Sequence, residues 1–337
     1  MKLPYNRVSK ILLLVLPLAA ALACIGIGRY SISIGESFTV LWSTFTGAAA
    51  RVSPQAYSVI MRIRLPRILL AILCGGGLAV SGAAFQALFT NPLATPDTLG
   101  VAAGTSFGAA LALLLKLPAL GVQFVALVFG LLAVSLSYSI SRIRGKTTII
   151  MIVLSGIIIS SMFDALVSLI KYVADPEDQL PAITYWLMGS LARVSYEGLA
   201  IGAPLIAAGA AFIFALRWKL NILSLNEDEA RSMGVQVKLL RLGIIVAATM
   251  ITGSAVAMCG QVGWVGLLIP HICRMIFGSN NSRLVPASIS AGAVFMLIID
   301  TAARAATAAE IPVSILTATI GAPFFMLLLR KTGGGWL

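Results

Sequence analysis

The chain has 337 residues, of which 59% are hydrophobic and only 11% are charged, and its mean hydropathy is +0.99. Water-soluble domains of this length do not carry such a composition, so we expect a lipid bilayer to surround the protein. The formal net charge is +12. Because the basic residues lie in short clusters between apolar runs, and not on one basic face, the sequence argues against nucleic acid as a partner.

Ten apolar runs are each predicted to form a transmembrane helix, since about 20 apolar residues cross roughly 30 Å of hydrocarbon. They cover residues 11–30, 66–88, 98–116, 119–140, 148–172, 198–217, 241–260, 264–277, 285–303 and 312–329. The first run follows basic residues, as a signal peptide does, but its length and the spans behind it favour a retained helix. The sequence therefore predicts an all-α integral membrane protein in which residues 1–337 form a single transmembrane domain.

The basic residues also predict the orientation of the chain. With the N-terminus inside, fifteen of the 24 Lys and Arg residues fall at cytoplasmic ends of the predicted spans and nine at or near the outer face. Positive charge is enriched in cytoplasmic loops of membrane proteins. We therefore predict that both termini are cytoplasmic.

Cysteine and histidine give no sign of a metal site or an enzyme. The four cysteines lie singly in apolar stretches without CxxC spacing, which is typical of small packing residues. His271 is the only histidine and cannot hold a metal or run acid–base catalysis alone. No Ser, His and Asp residues form a credible triad, so the sequence indicates a protein that is not an enzyme and binds no cofactor or metal itself.

A polar stretch at about residues 220–240 is predicted to project into the cytoplasm as a coupling loop. Within it a short helix starts on acidic residues and ends on a glycine. Its candidate residues are Asn226, Glu227, Asp228, Glu229, Ala230, Arg231 and Gly234. An exposed capped helix of this kind favours binding of a cytosolic partner, and a solvated loop is the alternative.

The chain resembles the iron-siderophore, haem and cobalamin permease family (FecCD type) almost from end to end. Glu229-Ala230 followed by Gly234 also resembles the EAA-type loop by which ABC importer permeases engage their ATPase subunits. The family resemblance rests on five blocks in a specific order: RLPR at 64–67; residues 82–86 with NPLA at 91–94 and LG at 99–100; YWLMGS at 185–190; GQVGWVGL at 260–267 with PHICR at 270–274; and EIP at 310–312 with GAPFF at 321–325.

The resemblance implies a ten-helix permease in the bacterial inner membrane. It implies a homodimer with the pathway at the dimer interface, two cytoplasmic ATPase subunits that use ATP and Mg, and a periplasmic substrate-binding protein. The resemblance favours a ferric siderophore, haem or cobalamin as substrate, with a metal oxyanion such as molybdate as the alternative. Lys171 and Arg193, near the predicted outer mouth, would not oppose an anion.

Three arginines lie at outer ends of predicted spans, where the topology rule disfavours basic residues. They are Arg64, Arg67 and Arg304. In the family, arginines at these positions pair with acidic residues of the binding protein, a use that suits the bidentate guanidinium fork. The alternative is that they only anchor helix ends at the headgroups.

The start of the fifth span carries Thr147 and Thr148, which by resemblance form a cytoplasmic gate; a structural helix cap is equally consistent. The preceding Gly145-Lys146 resembles the end of a phosphate-binding loop. The first glycine of that motif is missing, however, because position 140 is isoleucine. We therefore expect no nucleotide site in this loop.

Two aspartates fall within predicted spans. Asp164 in the fifth span either lines the pathway or forms hydrogen bonds inside the bundle. Asp300 is expected to pair with Arg304 at i,i+4 spacing. A secondary transporter driven by an ion gradient is a less favoured class, because such proteins place several charged coupling residues at mid-membrane, whereas Asp164 is nearly alone.

Overall fold

We describe the fold from a computed structural model of the chain. The structure describes residues 5–47, 53–143, 146–147, 149–225, 227–307 and 309–332. Helices dominate these residues, and the strands among them are two antiparallel pieces of two residues each, β1 (Arg142–Ile143) and β2 (Lys146–Thr147).

Fourteen α-helices are found in the described part of the chain. They are α1 (Arg7–Gly26), α2 (Ile34–Thr46), α3 (Pro54–Ser58), α4 (Leu65–Leu88), α5 (Val101–Leu114), α6 (Ala119–Ser141), α7 (Ile149–Val173), α8 (Gln179–Leu187), α9 (Tyr196–Ala215), α10 (Glu227–Ser232), α11 (Val237–Cys259), α12 (Val265–Phe277), α13 (Asn281–Ala305) and α14 (Val313–Thr332). A π-helical segment, Val59–Arg64, joins α3 to α4, and 3-10 turns occupy Pro96–Leu99 and Lys219–Ser224.

Each of the ten predicted spans corresponds to one helix, with ends that differ by a few residues. Within the described residues, seven helical segments are long and apolar enough to cross a membrane. The helices over 101–114, 265–277 and 313–327 are apolar but shorter. The all-helical prediction is therefore confirmed.

Polar side chains start several of these helices where the sequence changes from polar to apolar. The Asn6 side chain accepts a hydrogen bond from the Ser9 amide at 3.0 Å at the start of α1. Ser195 does the same for the Gly198 amide at 3.0 Å at the start of α9. Such caps satisfy amides that have no partner within the helix.

Helix α4 forms the centre of the bundle. Of the 18 most apolar consecutive residues in the helical segment Pro54–Leu88, which contains α4, 83% are buried inside the protein. The corresponding share for α1, at the periphery, is 11%. Its closest neighbour is α13. A side chain added at Gly75 would collide with the backbone of Gly292, and a side chain added at Gly292 would collide with the backbone of Gly75. Small residues that let backbones approach are a usual basis of helix packing in lipid.

Three features differ from the sequence prediction. Helices α2 and α8 lie in stretches to which no span was assigned, because each is too short to cross a bilayer. The helix of the second predicted span starts twelve residues before residue 66, since α3, the π segment and α4 form one continuous helical segment from Pro54 to Leu88. Such π segments are rare and occur frequently at functional sites.

Candidate docking and translocation sites

We name the two ends of the bundle by their contents. The end where α1 and α13 finish and α4 starts is the arginine end, because Arg64, Arg67 and Arg304 lie there. The opposite end, where α10 lies between α9 and α11, is the α10 end.

Arg67 connects three parts of the chain at the arginine end. Its Nε and Nη2 donate to Oδ1 of Asp300 at 2.9 and 2.8 Å, and its Nη1 donates to Oε1 of Glu310 at 2.8 Å. The Arg67 and Asp300 side chains are only 4% and 2% exposed. This fork-to-carboxylate geometry, which is among the stronger hydrogen-bonded arrangements in proteins, fixes the start of α4 to the end of α13 and to the segment before α14.

Arg64 binds the chain that follows α1. Its Nη1 donates to the carbonyl oxygens of Ile25 and Gly26 at 2.6 and 3.2 Å, and its Nη2 donates to the carbonyl of Tyr30. The side chain is buried. Arg64 therefore satisfies carbonyl groups at the end of α1 that have no partner within the helix.

Arg304 holds α1 to α13. Its Nη2 donates to the Cys24 carbonyl at 2.5 Å, and its Nε lies 3.6 Å from Oδ2 of Asp300. The predicted i,i+4 pair of Asp300 and Arg304 is thus confirmed by this ion pair. Like Arg64, Arg304 is buried.

All three predicted docking arginines thus make their contacts inside the chain. The cluster contains these three arginines and two carboxylates, Asp300 and Glu310, so its formal charge is +1. Direct pairing with a binding protein stays a prediction. A partner's carboxylate would have to displace contacts that now hold the ends of α1, α4 and α13 together.

Helix α10 has the form that the sequence predicts, a short helix that ends before a glycine. Ala230 is buried, and its carbonyl accepts from the Val235 amide at 3.3 Å. Gly234 follows with a φ of +74°, a conformation that favours glycine over residues with a side chain. Asn226 lies outside the described residues, and only the backbone is described for Glu227, Asp228 and Arg231.

The chain around α10 presents apolar side chains and is tied to the bundle. Leu225, Met233 and Leu239 are exposed. The Asn221 side chain, in the 3-10 turn before α10, accepts from the Asn281 amide at 2.8 Å and donates to Asn280 at 3.2 Å. These hydrogen bonds link the segment before α10 to the start of α13.

Helix α7 carries the predicted gate and pathway residues. Thr148 lies outside the described residues, and for Thr147 only the backbone is described, in β2. Asp164 is exposed, on the same side of α7 as the exposed Ser161 and Ser168. On the other side, a side chain at Gly156 would collide with the Thr98 carbonyl in the 3-10 turn before α5.

The YWLMGS block contains residues whose positions the sequence did not predict. After α8, the Ser190 amide donates to the Cys259 carbonyl at 2.8 Å, at the end of α11. The Gly189 carbonyl accepts from the Val313 amide at 3.0 Å, and the Met188 carbonyl accepts from the Ser314 hydroxyl at 2.6 Å, both at the start of α14. This block therefore joins α8, α11 and α14.

Two further contacts involve residues of the other blocks. Arg274 donates from Nη2 to Oε1 of Gln86 at 2.9 Å, which joins α12 to α4. Gln261 donates from Nε2 to the Ser106 hydroxyl at 2.7 Å, which joins the turn before α12 to α5. The described residues contain no group of three or more His, Cys, Asp or Glu residues placed to hold a metal ion.

The fold defines a class of protein, a multi-pass helical membrane protein. The FecCD transport family matches residues 13–331, nearly the whole chain, and the chain belongs to this family. Members of this family are permease subunits of ABC importers. They are transport components, and the ATPase activity resides on separate subunits.

Several named relatives are more than one third identical to this chain over the residues that align. A molybdate import system permease protein of Haemophilus influenzae is 40% identical over 98% of this chain and 97% of its own length. A hemin transport system permease protein of Yersinia pestis is 35% identical over 95% of this chain and 94% of its own length. A vitamin B12 import system permease protein of Citrobacter koseri is 36% identical over 81% of this chain and 83% of its own length.

Two solved structures are similar to the chain. One, described as an inward-facing conformation of a metal-chelate type ABC transporter, superimposes with a TM-score of 0.86 at 38% identity and covers 97% of this chain and 100% of its own. The other is PsaBC from Streptococcus pneumoniae in complex with Fab, with a TM-score of 0.58 at 22% identity over 79% and 90% of the chains. The second supports the fold alone.

Proposed function

We propose that this chain is the transmembrane subunit of a binding-protein-dependent ABC importer that moves a metal chelate across the bacterial inner membrane. ATP hydrolysed by partner subunits supplies the energy. The observation that carries the proposal is the family match over residues 13–331. The α10 end provides the physical means, since a short helix with exposed apolar neighbours is linked to α13 through Asn221.

The proposed topology has ten spans with both termini in the cytoplasm. The seven long helical segments and the three shorter apolar helices supply that number. In this orientation the α10 end faces the cytoplasm and the arginine end faces outward. The distribution of Lys and Arg supports the same orientation.

The proposed partners are a second copy of the chain, two cytoplasmic ATPase subunits with ATP and Mg, and a periplasmic binding protein. The ATPase subunit meets the coupling loop through Leu225, Met233 and Leu239, whose exposed apolar surface suits burial in an interface. The binding protein meets the arginine end. At that end, the main role of Arg64, Arg67 and Arg304 is to hold the helix ends in position.

The pathway is proposed to follow α7, with Thr147 and Thr148 at its cytoplasmic gate. Asp164 supports this assignment, because a carboxylate exposed within a span favours a water-filled path or a subunit interface over lipid. An ion-coupled secondary transporter is a weaker proposal, since its coupling sites would need several such charges.

The proposed substrate is a ferric siderophore, haem or cobalamin. Relatives named for hemin and vitamin B12 transport, and the similarity to a metal-chelate type transporter, support this choice. Molybdate is the second candidate, and the 40% identity with a molybdate permease over nearly the whole chain favours it.

The proposal is tested by uptake into cells or proteoliposomes with and without the ATPase subunit. We expect uptake of the substrate to cease when the ATPase subunit is removed or its ATP hydrolysis is blocked. Uptake that continues without the ATPase and stops when the ion gradient is collapsed would instead establish a secondary transporter.

A further inference from the structure

A cavity of about 240 Å³ lies at the arginine end, apart from the arginine cluster and from the exposed face of α7. Its walls come from the end of α5, the start of α6, α8, the turn before α9 and the end of α11. The Tyr196 hydroxyl, which donates to the Met61 carbonyl at 2.5 Å, places the start of α9 beside the π segment that precedes α4. The cavity is therefore at the level where the spans end.

The lining of this cavity is mostly apolar, with Leu117, Leu120 and Met258 among its residues. Trp186 and Tyr185 add aromatic surface. Aromatic residues of this kind are enriched where a membrane meets water. An apolar chain that enters from the bilayer is therefore a better match for these walls than a hydrated ion.

Polar groups are confined to a small part of the cavity wall. Arg193 is exposed at the rim, with its guanidinium 5.8 Å from the centre of the Tyr185 ring. Among the described residues, none of the ion pairs includes Arg193. Gln123 is buried, and its Nε2 donates to the Gly198 carbonyl at 3.1 Å.

The size of the cavity limits how much of a ligand it can enclose, so a larger molecule would enter it only in part. Pockets that enclose a drug-sized ligand measure roughly 300–1,000 Å³, and this one is smaller. A ligand with an apolar chain inside and an anionic group outside, next to Arg193, satisfies both parts of the wall. The surrounding bilayer supplies molecules of this form.

We propose that this cavity binds an acyl chain of an anionic phospholipid and that Arg193 contacts the phosphate of its headgroup. The headgroup lies at the rim, near Ser195 at the start of α9, and the chain extends along Leu120 and Met258. A bound lipid here touches α5, α6, α8, α9 and α11 together. It would therefore stabilise the arginine end without being part of the transport pathway.

Native mass spectrometry of the purified full-length chain, titrated with phosphatidylglycerol or phosphatidylcholine, tests this proposal. We expect phosphatidylglycerol to bind more tightly, and Arg193→Gln to weaken its binding about fivefold, the effect of one basic residue at a membrane surface. Phosphatidylcholine carries a phosphate too, but its choline cation offsets that charge, so Arg193→Gln should weaken its binding less than that of phosphatidylglycerol. Ala119→Trp, at an exposed position of the lining, should weaken binding of both lipids.

Arg62→Gln is the matched control, because Arg62 is an exposed arginine near the same end and does not line the cavity. It should bind both lipids like the unmodified chain. Equal phosphatidylglycerol binding by Arg193→Gln and the unmodified chain would overturn the proposal. Displacement of phosphatidylglycerol by glycerol phosphate at equal concentration would also overturn it, since the site would then recognise a soluble anion.

Discussion

Arg67 and Asp300 form a buried ion pair between the start of α4 and the end of α13, with the Arg67 Nη2 and Asp300 Oδ1 atoms 2.8 Å apart. The two residues are 233 positions apart in the chain. Close glycine contacts already hold α4 and α13 together at Gly75 and Gly292. The ion pair fixes their relative position at the end where a binding protein is proposed to dock.

Loss of one partner of this pair should destabilise the protein. Asp300→Leu leaves the Arg67 and Arg304 charges buried with Glu310 as the remaining carboxylate. We expect the free energy of unfolding to fall by about 3 kcal/mol. Arg67→Met with Asp300→Leu should cost less than Asp300→Leu alone, because fewer charges stay buried. Thermal unfolding in detergent measures both.

The exposed pair of Lys116 and Asp178 provides the control for this experiment. Its atoms are 3.4 Å apart, and the side chains are 70% and 76% exposed. Exposed pairs contribute about 0–1 kcal/mol, so Asp178→Leu should shift the unfolding temperature little. An effect of Asp300→Leu no larger than that of Asp178→Leu would show that the buried cluster does not hold the helices together.

Substitution of Gly156 should disturb the packing of α7. A methyl group at this position would collide with the Thr98 carbonyl, and forcing extra atoms into a packed site costs about 1–3 kcal/mol. Gly156→Ala should therefore lower the unfolding temperature. Gly35→Ala, in α2, is the control, because nothing lies within 4 Å of its added carbon. Equal unfolding temperatures for the two variants would contradict the close contact.

Met233→Glu should weaken binding of the ATPase subunit. The Met233 side chain is 60% exposed beside α10, so the substitution leaves the fold intact but places a charge in the proposed apolar interface. Co-purification of the two subunits measures the effect. Gln236→Glu adds the same charge at a nearby exposed polar position and should retain the ATPase. Full retention of the ATPase by Met233→Glu would exclude Met233 from the interface.

Asp164→Asn should reduce transport without reducing stability. The carboxylate is exposed on α7, so its neutralisation breaks no buried contact, but it changes the charge along the proposed pathway. Uptake into proteoliposomes should fall several-fold at an unchanged unfolding temperature. If Asp164 faces lipid instead, the variant should be more stable, because a buried charge in hydrocarbon is unfavourable, and uptake should stay the same.

Much of the fold follows from local sequence patterns. Every predicted span corresponds to a helix because a long apolar run has one dominant solution in a bilayer. The pair of Asp300 and Arg304 was predictable from i,i+4 spacing. The short α10 helix was predictable from its acidic start and from Gly234.

Long-range contacts were not predictable in the same way. The sequence places Arg67 at the end of a span, but nothing near it in the chain indicates that its partners are Asp300 and Glu310. The YWLMGS block was recognisable as a motif, whereas its hydrogen bonds to Cys259 and Val313 depend on how α8 packs in the folded bundle. The cavity beside Arg193 likewise depends on five separate parts of the chain.

ATP hydrolysis by the reconstituted complex of this chain, its ATPase subunit and its binding protein tests the central claim most directly. The binding protein is supplied empty, or loaded with a ferric siderophore, haem, cobalamin or molybdate. The account predicts that one loaded form stimulates hydrolysis above the empty form and that the same ligand accumulates inside proteoliposomes. Hydrolysis that no loaded form stimulates, together with no ATP-dependent accumulation, would contradict it.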